Sequence, residues 1–463
     1  MSEPRPESPD SRALRVRFLR LAGVNVLSNL TIPAASLIDT AMLGRLDEVR
    51  FLAGVALASV IFDYLYWGFG FLRMGTTGLV ALAWSANDRS ETARILLRAM
   101  AVAVAFGLGV VATAPWLKGF AFAMLSGPDT SEAVGRVYFD ARIFGAPAVF
   151  LNLTIAGFFI GTGRVKSALV TAAVQNVGNA LLNIWFIAGL GWAAAGAGYA
   201  SMASQYIALV VGGILISRRE LELRQPWSAV LDRSAIRELF SLNRDLFIRT
   251  LSMVTVFGVF TNLSGQGGEN RLAGFAILLR LLTVAAYVID GAAYALETLA
   301  GTLWNQRRID ELQALTRFAM FGSLGLALGL ATTLELFGPQ LYAIINRHEP
   351  VVAIALRYQG WMLLALFFGV VAWIYDGVFI GLTWGRRLRY AALWSASAFV
   401  PGAWLAWQLR SGTWLWIAFV MFTAARALTL SWSWAHATRS AQTASKPAAS
   451  KPTASNDLDR RME

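Results

Sequence analysis

Twelve predominantly apolar stretches run through this chain, near 18–43, 52–83, 95–117, 136–161, 167–190, 193–217, 240–264, 272–302, 314–338, 351–381, 387–408 and 412–436. Each has the ~20 residues that an α-helix needs to cross the hydrocarbon core of a bilayer, and the longer ones imply tilt or extension beyond it. Inside lipid every backbone N–H and C=O must be satisfied by the protein itself, which leaves helices or a closed β-barrel. Barrel strands would be short and alternate in polarity. Runs such as Ala101–Pro115 and Trp192–Ile216 are instead continuously apolar and rich in Ala, Leu and Gly. The expected fold is therefore an all-α polytopic membrane protein with twelve transmembrane helices. The first 17 residues are polar and lack the apolar core of a secretory signal, so the first span is read as a retained helix.

The polar segments divide the chain. Residues 1–17 form an N-terminal tail and 18–217 a first lobe of six helices. Residues 218–239 form a linker, 240–437 a second lobe of six helices, and 438–463 a disordered Ala/Ser/Thr/Lys-rich tail. When both termini are placed on one side, that side collects roughly two thirds of the 40 Lys and Arg, the bias that marks the cytoplasmic face. Arg12, Arg89, Arg164, Arg218, Arg307 and Arg386 are among them. The expected location is a bacterial-type cytoplasmic (inner) membrane, multi-pass, with both termini cytoplasmic. The net charge of +12 then reports topology, and no nucleic-acid partner is needed to explain it.

The two lobes repeat. Leu52-Ala53-Gly54-Val55-Ala56 recurs as Leu272-Ala273-Gly274-Phe275-Ala276, Trp84 as Trp304, and Gly157-Phe158-Phe159-Ile160-Gly161 as Gly377-Val378-Phe379-Ile380-Gly381, all at an offset of 220. Six helices is an even number, so the second copy keeps the orientation of the first. Two parallel six-helix repeats related by an axis along the membrane normal are expected, with binding near the midplane between them.

Several chemistries are excluded. The chain has no Cys and two His, which removes disulfides, thiolate zinc sites and cysteine nucleophiles. Phosphate-cradling, zinc-protease and serine-nucleophile motifs are missing as well, so no enzyme, metal site or cofactor is expected. Transport driven by an ion gradient is the simplest mechanism for isolated acids within helices.

An ionisable group inside a span costs about 2.5–3.5 kcal/mol on insertion scales, so each calls for a reason. Asp39 follows Pro33, which frees a backbone carbonyl and can kink the helix. A carboxylate there suits ion coupling, although it also lies near the loop at Arg45. Asn176, Asn179 and Asn183 share one face of the fifth span and can coordinate a cation or act as interhelical glue. Asp63 and Arg73 are too far apart on the second span to pair directly, so Arg73 is expected to find a carboxylate on a neighbouring helix. Arg142, Asp290, Glu297 and Asp376, together with Asp63 and Arg73, are cavity candidates, with buried structural ion pairs as the alternative. Arg280 and Arg426 join them in weighing an anion site. Aromatic residues such as Tyr64, Tyr66, Trp67 and Phe71 can form a membrane-interface belt or line a cavity for flat cations.

The segments Ser28-Asn29-Leu30-Thr31-Ile32-Pro33 and Leu37-Ile38-Asp39-Thr40-Ala41-Met42-Leu43-Gly44 resemble the first helix of MATE (multidrug and toxic compound extrusion) transporters, especially the DinF-like branch. Gly68–Gly78, Asn243–Leu251 and Asp376–Gly381 are similar to that branch too, and the resemblance covers about residues 15–435. It implies a secondary active antiporter that exports organic, cationic or amphiphilic small molecules in exchange for H+ or Na+ by rocking of two lobes, acting as a monomer in the lipid bilayer. It also implies an ion-coupling site at Asp39, Asn179, Asn183 and Ser201. Asn183 stands where the family has an acid, Ser201 where it has a Thr, and Val24 where it often has a Pro. Losing that acid weakens Na+ binding at Asp39, Asn179 and Asn183, so H+ is the favoured coupling ion. A flippase for a lipid-linked or other anionic headgroup, of the same superfamily, is the alternative; clustered arginines facing the cavity would favour it.

Overall fold

The computed structural model describes residues 9–43, 49–124, 129–217, 225–230, 232–345 and 348–445. The helices, in chain order, are α1 (Pro9–Leu43), α2 (Val49–Gly68), α3 (Phe71–Ser85), α4 (Arg89–Ala112), α5 (Ala114–Met124), α6 (Asp129–Arg142), α7 (Ala146–Gly161), α8 (Val165–Asn183), α9 (Ala193–Ser217), α10 (Trp227–Val230), α11 (Arg233–Gly265), α12 (Glu269–Asn305), α13 (Ile309–Ile345), α14 (Glu349–Gly381), α15 (Gly385–Leu409) and α16 (Gly412–Ser445). A 3₁₀ turn at Ile143–Gly145 joins α6 to α7, and α8 runs on into a π-helical turn at Ile184–Gly189. There is no strand among the described residues. Joined end to end, these pieces make twelve helical rods, as the apolar stretches predict. By length and composition nine described helices suffice to cross a membrane.

The rods outrun three of the expected boundaries. Helix begins at Pro9 instead of residue 18, α11 at Arg233 instead of 240, and α16 continues to Ser445 beyond 437. The reason is local. Arg, Leu and Ala are strong helix formers, and once a rod leaves the hydrocarbon its polar residues no longer limit its length. Residues 446–463 and 218–224 of the expected tail and linker lie outside the described residues.

The repeat is exact to individual backbone atoms. In the first half α2 packs on α6 and α3 on α7, and in the second α12 packs on α14; the pairs α4–α7 and α13–α14, α8–α9 and α15–α16, and α1–α8 and α11–α15 match in the same way. A methyl group added at Gly157 would lie 2.5 Å from the carbonyl oxygen of Arg73, and one at Gly377 would lie 2.4 Å from that of Ala293. Gly161 meets the carbonyl of Thr77 and Gly381 that of Glu297, again at an offset of 220. Loops correspond as well. Asn87 and Arg307 have φ of 59° and 58°, and Gly163 and Thr383 have 72° and 57°. Asp88 N–H reaches Ala83 O at 3.1 Å and Arg308 N–H reaches Leu303 O at 2.9 Å, the bond that closes a helix through a left-handed residue.

The halves meet along α1, α3, α11, α12 and α14. Thr298 donates to Ile160 O at 2.6 Å, while Asn305 donates to Leu82 O at 3.1 Å and to Ser85 Oγ at 2.7 Å. A methyl group at Gly301 would touch Gly381 O at 3.0 Å and Ala81 Cβ at 3.3 Å. These contacts gather toward the end that carries Arg89, Arg164, Arg307 and Arg386, here named the basic end.

Gly157→Ala and Gly377→Ala should each destabilise the protein by about 1–3 kcal/mol, the cost of forcing a side chain against fixed backbone. Gly109, which has nothing within 4 Å, should tolerate Ala. Thermal unfolding in detergent measures the difference, and equal melting temperatures for all three variants would contradict the close crossing.

Candidate functional site

Three of the four expected coupling residues come together. Asn183 and Asn179 are one turn apart on the buried face of α8, and Asn183 Nδ2 donates to Asn179 Oδ1 at 3.2 Å. Asn179 Nδ2 in turn donates to Ser201 Oγ on α9 at 3.3 Å. A relay Asn183–Asn179–Ser201 thus ties the two helices, and it sits where α8 gives way to the π-helical turn. π-Turns inside α-helices accompany functional sites often. The side chains of Asp39 and Pro33 lie outside the described residues; their backbone is helical within α1, which packs on α8.

A second cluster holds most of the charged candidates. Arg73 on α3 pairs with Glu297 on α12 at 3.0 Å, with a second contact at 3.5 Å, and both are buried. This is the carboxylate on a neighbouring helix that Arg73 required, and it belongs to the other half. Asp376 on α14 accepts from Arg249 on α11 at 2.5 Å and also from Arg426 on α16. Sulfur atoms add to the coordination: Arg249 donates to Met74 Sδ at 3.7 Å and Arg426 to Met253 Sδ at 3.0 Å, while Arg249 Nε and Asp376 Oδ1 are buried without a hydrogen bond among the described residues. Asp290, two turns before Glu297, is partly exposed and carries no hydrogen bond or ion pair among the described residues.

Arg249 is absent from the sequence-derived candidates, although it stands inside the apolar run 240–264 and the rule that singled out Asp290 applies equally to it. Asp245, buried and paired with Arg389 near the basic end, escaped in the same way. Their partners are a matter of helix rotation, which spacing along one helix does not reveal.

The remaining candidates lie toward the opposite end. The Arg142 guanidinium stands over the Phe62 ring at 4.6 Å and donates to Tyr138 Oη at 2.5 Å, with the rings of Tyr66 and Tyr138 at 5.7 and 5.5 Å. The α2 and α6 helices supply this box. Asp63, on the same helix as Phe62 and Tyr66, is exposed, and Arg142 and Arg280 act on it electrostatically. Tyr64 and Trp67 are exposed beside it, and Trp67 meets Phe257 of the other half edge to face at 6.0 Å. No group of three or more His, Cys, Asp or Glu suited to a metal ion occurs among the described residues.

Magnitudes separate these charges. Asp376→Asn would strand two buried guanidiniums, an uncompensated charge that costs about 3–5 kcal/mol. Asp140→Asn breaks only the solvent-facing Lys118–Asp140 pair and should cost at most ~1 kcal/mol. Melting curves of the two variants should differ accordingly, and an Asp376→Asn curve that overlays the wild type would show the triad to be dispensable.

Comparison with known proteins agrees with the two-half fold. The MatE family model matches residues 25–185 and 246–405, one segment in each half. DNA damage-inducible protein F of Escherichia coli is 30% identical over 417 residues, covering 88% of this chain and 89% of that protein. Multidrug resistance protein PmpM of Pseudomonas aeruginosa is 24% identical over 370 residues, covering 76% of each chain. A solved MOP superfamily transporter from Pyrococcus furiosus superposes with a TM-score of 0.83 at 17% identity, over 95% of this chain and 100% of that one. With one family model spread across both halves, and a relative aligned along nearly its whole length, the chain belongs to the MatE family of multi-pass membrane transporters.

Proposed function

We propose that the protein is a secondary active antiporter that exports organic, cationic or amphiphilic compounds in exchange for H+, by rocking its two halves. The observation that carries this reading is the one-sided hydrogen bonding between them. The bonds Asn29–Tyr287 O, Arg73–Glu297, Arg249–Met74, Thr298–Ile160 O and Asn305–Leu82 O run from mid-helix toward the basic end, whereas toward the other end the halves touch through the Trp67 and Phe257 rings. Two similar halves joined at one end can exchange which end is shut by tilting as rigid bodies. On the positive-inside rule the basic end is cytoplasmic, so both termini face the cytoplasm and this state opens outward.

The commitment of the arginines supports a cationic cargo over an anionic headgroup. Arg73 is spent on Glu297, Arg249 and Arg426 share Asp376, and Arg142 is enclosed by aromatic rings. Exposed Asp63 and partly exposed Asp290 are the candidate carboxylates left without an ion pair among the described residues. The designation of the Pseudomonas aeruginosa relative as a multidrug resistance protein points the same way.

Asp39, Asn179, Asn183 and Ser201 form the coupling site in this reading. Asn183 is neutral and brings no negative charge to the site, which favours a proton on Asp39 over a Na+ ion. A carboxylate in place of Asn183 would add the missing negative charge. Efflux of a fluorescent cation into everted vesicles should therefore run on a pH gradient in Na+-free buffer, and an absolute Na+ requirement would overturn the choice of ion. Asp39→Asn should abolish gradient-driven transport while leaving the amount of protein in the membrane unchanged; undiminished efflux would exclude Asp39 from coupling.

A further inference from the structure

Arg73 stands on the first half and its counter-charges stand on the second. Its guanidinium lies 4.2 Å from the centroid of the Tyr294 ring and 3.0 Å from Glu297. Asp290, Tyr294 and Glu297 follow at i, i+4 and i+7 on α12 and share one face, with the two carboxylates about 10 Å apart along the axis. The guanidinium thus occupies one end of a track that has an acid at either end and an aromatic ring between. Glu297, toward the basic end, is buried, whereas Asp290, toward the opposite end, is partly exposed and unpaired among the described residues. The charged groups that act on Asp290 include Arg73, Glu297, Asp376, Arg249 and Arg426. Arg249 and Arg426 are both bonded to Asp376, so Arg73 is the guanidinium of this cluster that is bonded to an acid of α12.

We propose that Arg73 is a mobile counter-ion that exchanges between Glu297 and Asp290 as the halves rock, so that Asp290, which Arg73 does not bond in the state closed at the basic end, takes a positively charged ligand and releases it when Arg73 arrives. The proposal rests on the transport reading above. One guanidinium cannot bond to two carboxylates two turns apart, and Asp290 has no ion pair of its own among the described residues. In the proposal a cation from the space between the halves is its direct partner in that state. Separation of the halves at the basic end draws α3 away from Glu297, while closure at the opposite end brings the first half toward Asp290. The Tyr294 face attracts the guanidinium along the way.

The chain has no Cys, so spin labels at Ala86→Cys and Gln306→Cys, exposed equivalent positions at the basic end, report its closure by pulsed-EPR distances in nanodiscs. Asp290→Asn leaves Arg73 only Glu297 and should enrich the short distance. Glu297→Gln leaves it only Asp290, which should enrich the long distance and weaken binding of tetraphenylphosphonium at least tenfold. Arg73→Gln should abolish the response of the distances to that probe. Should Arg73→Gln fail to accumulate, the two acid variants, each of which keeps Arg73 one partner, carry the test alone. A fixed structural pair gives the opposite pattern, with Glu297→Gln leaving the probe's affinity intact and Asp290→Asn silent, and that pattern overturns the exchange. Gradient-driven uptake of the probe by the wild-type protein in proteoliposomes is measured alongside. No uptake there sinks the transport reading, whereas normal uptake with Asp290→Asn unchanged in distance and affinity sinks only the exchange.

Discussion

Contact between a glycine and the backbone of a crossing helix holds this bundle together. Lipid tails are as apolar as leucine, so burial of side chains gives helices in a membrane little reason to associate, and close packing must supply it. Gly157 and Gly161 bring α7 onto α3, and Gly377 and Gly381 bring α14 onto α12. Across the halves, Gly78 faces the carbonyl of Ile380 just as the Thr298 hydroxyl faces that of Ile160. These six positions obey one offset of 220. The pseudo-symmetry is therefore built from five glycines and one hydroxyl set against backbone carbonyls, and it fixes the separation at which every other residue between the halves must work.

At that separation the charged residues sort into two kinds. Arg73, Arg249, Arg426, Glu297 and Asp376 are buried and bonded, and their insertion cost is offset by partners on other helices. Asp63, Asp290 and Arg280 remain at least partly exposed. Only the second kind can meet a ligand without first breaking an ion pair. The chemistry is also unequal between the halves: the positions equivalent to Asp290, Glu297 and Asp376 are Gly70, Thr77 and Ala156.

The helical rods were legible in the sequence because a bilayer demands some twenty apolar residues and little else. Three short matches at one offset were enough to reveal the repeat. Its depth was not legible: Arg307 and Thr383 adopt left-handed backbone without being glycine, and no residue-type rule marks them, whereas Asn87 is of a type that favours it. Among the candidate residues, a polar side chain in an apolar run was readable, which identified Arg73, Asp290, Glu297 and Asp376. Their pairing was not, since the rotation of α3 against α12 and of α14 between α11 and α16 depends on the glycine crossings. The shared face of Asn179 and Asn183 followed from spacing on a single helix, whereas their link to Ser201 required the neighbouring one.

The two halves differ in continuity. The α12 and α14 helices run unbroken for 37 and 33 residues, but their counterparts are each cut once, at Phe69–Gly70 and at Ile143–Gly145. Both cuts fall just beyond the crossing, on the side away from the basic end. The severed pieces, α2 and α6, are packed on each other through Gly54 and Gly135, each pressed against the other helix. They form a unit set at an angle to the crossing below, carrying Asp63 and the Arg142 aromatic box, and Gly198 of α9 fits against its Tyr138 and Ala141. The second half has no such breaks in α12 and α14, so the chemistry carried by this offset unit has no counterpart there.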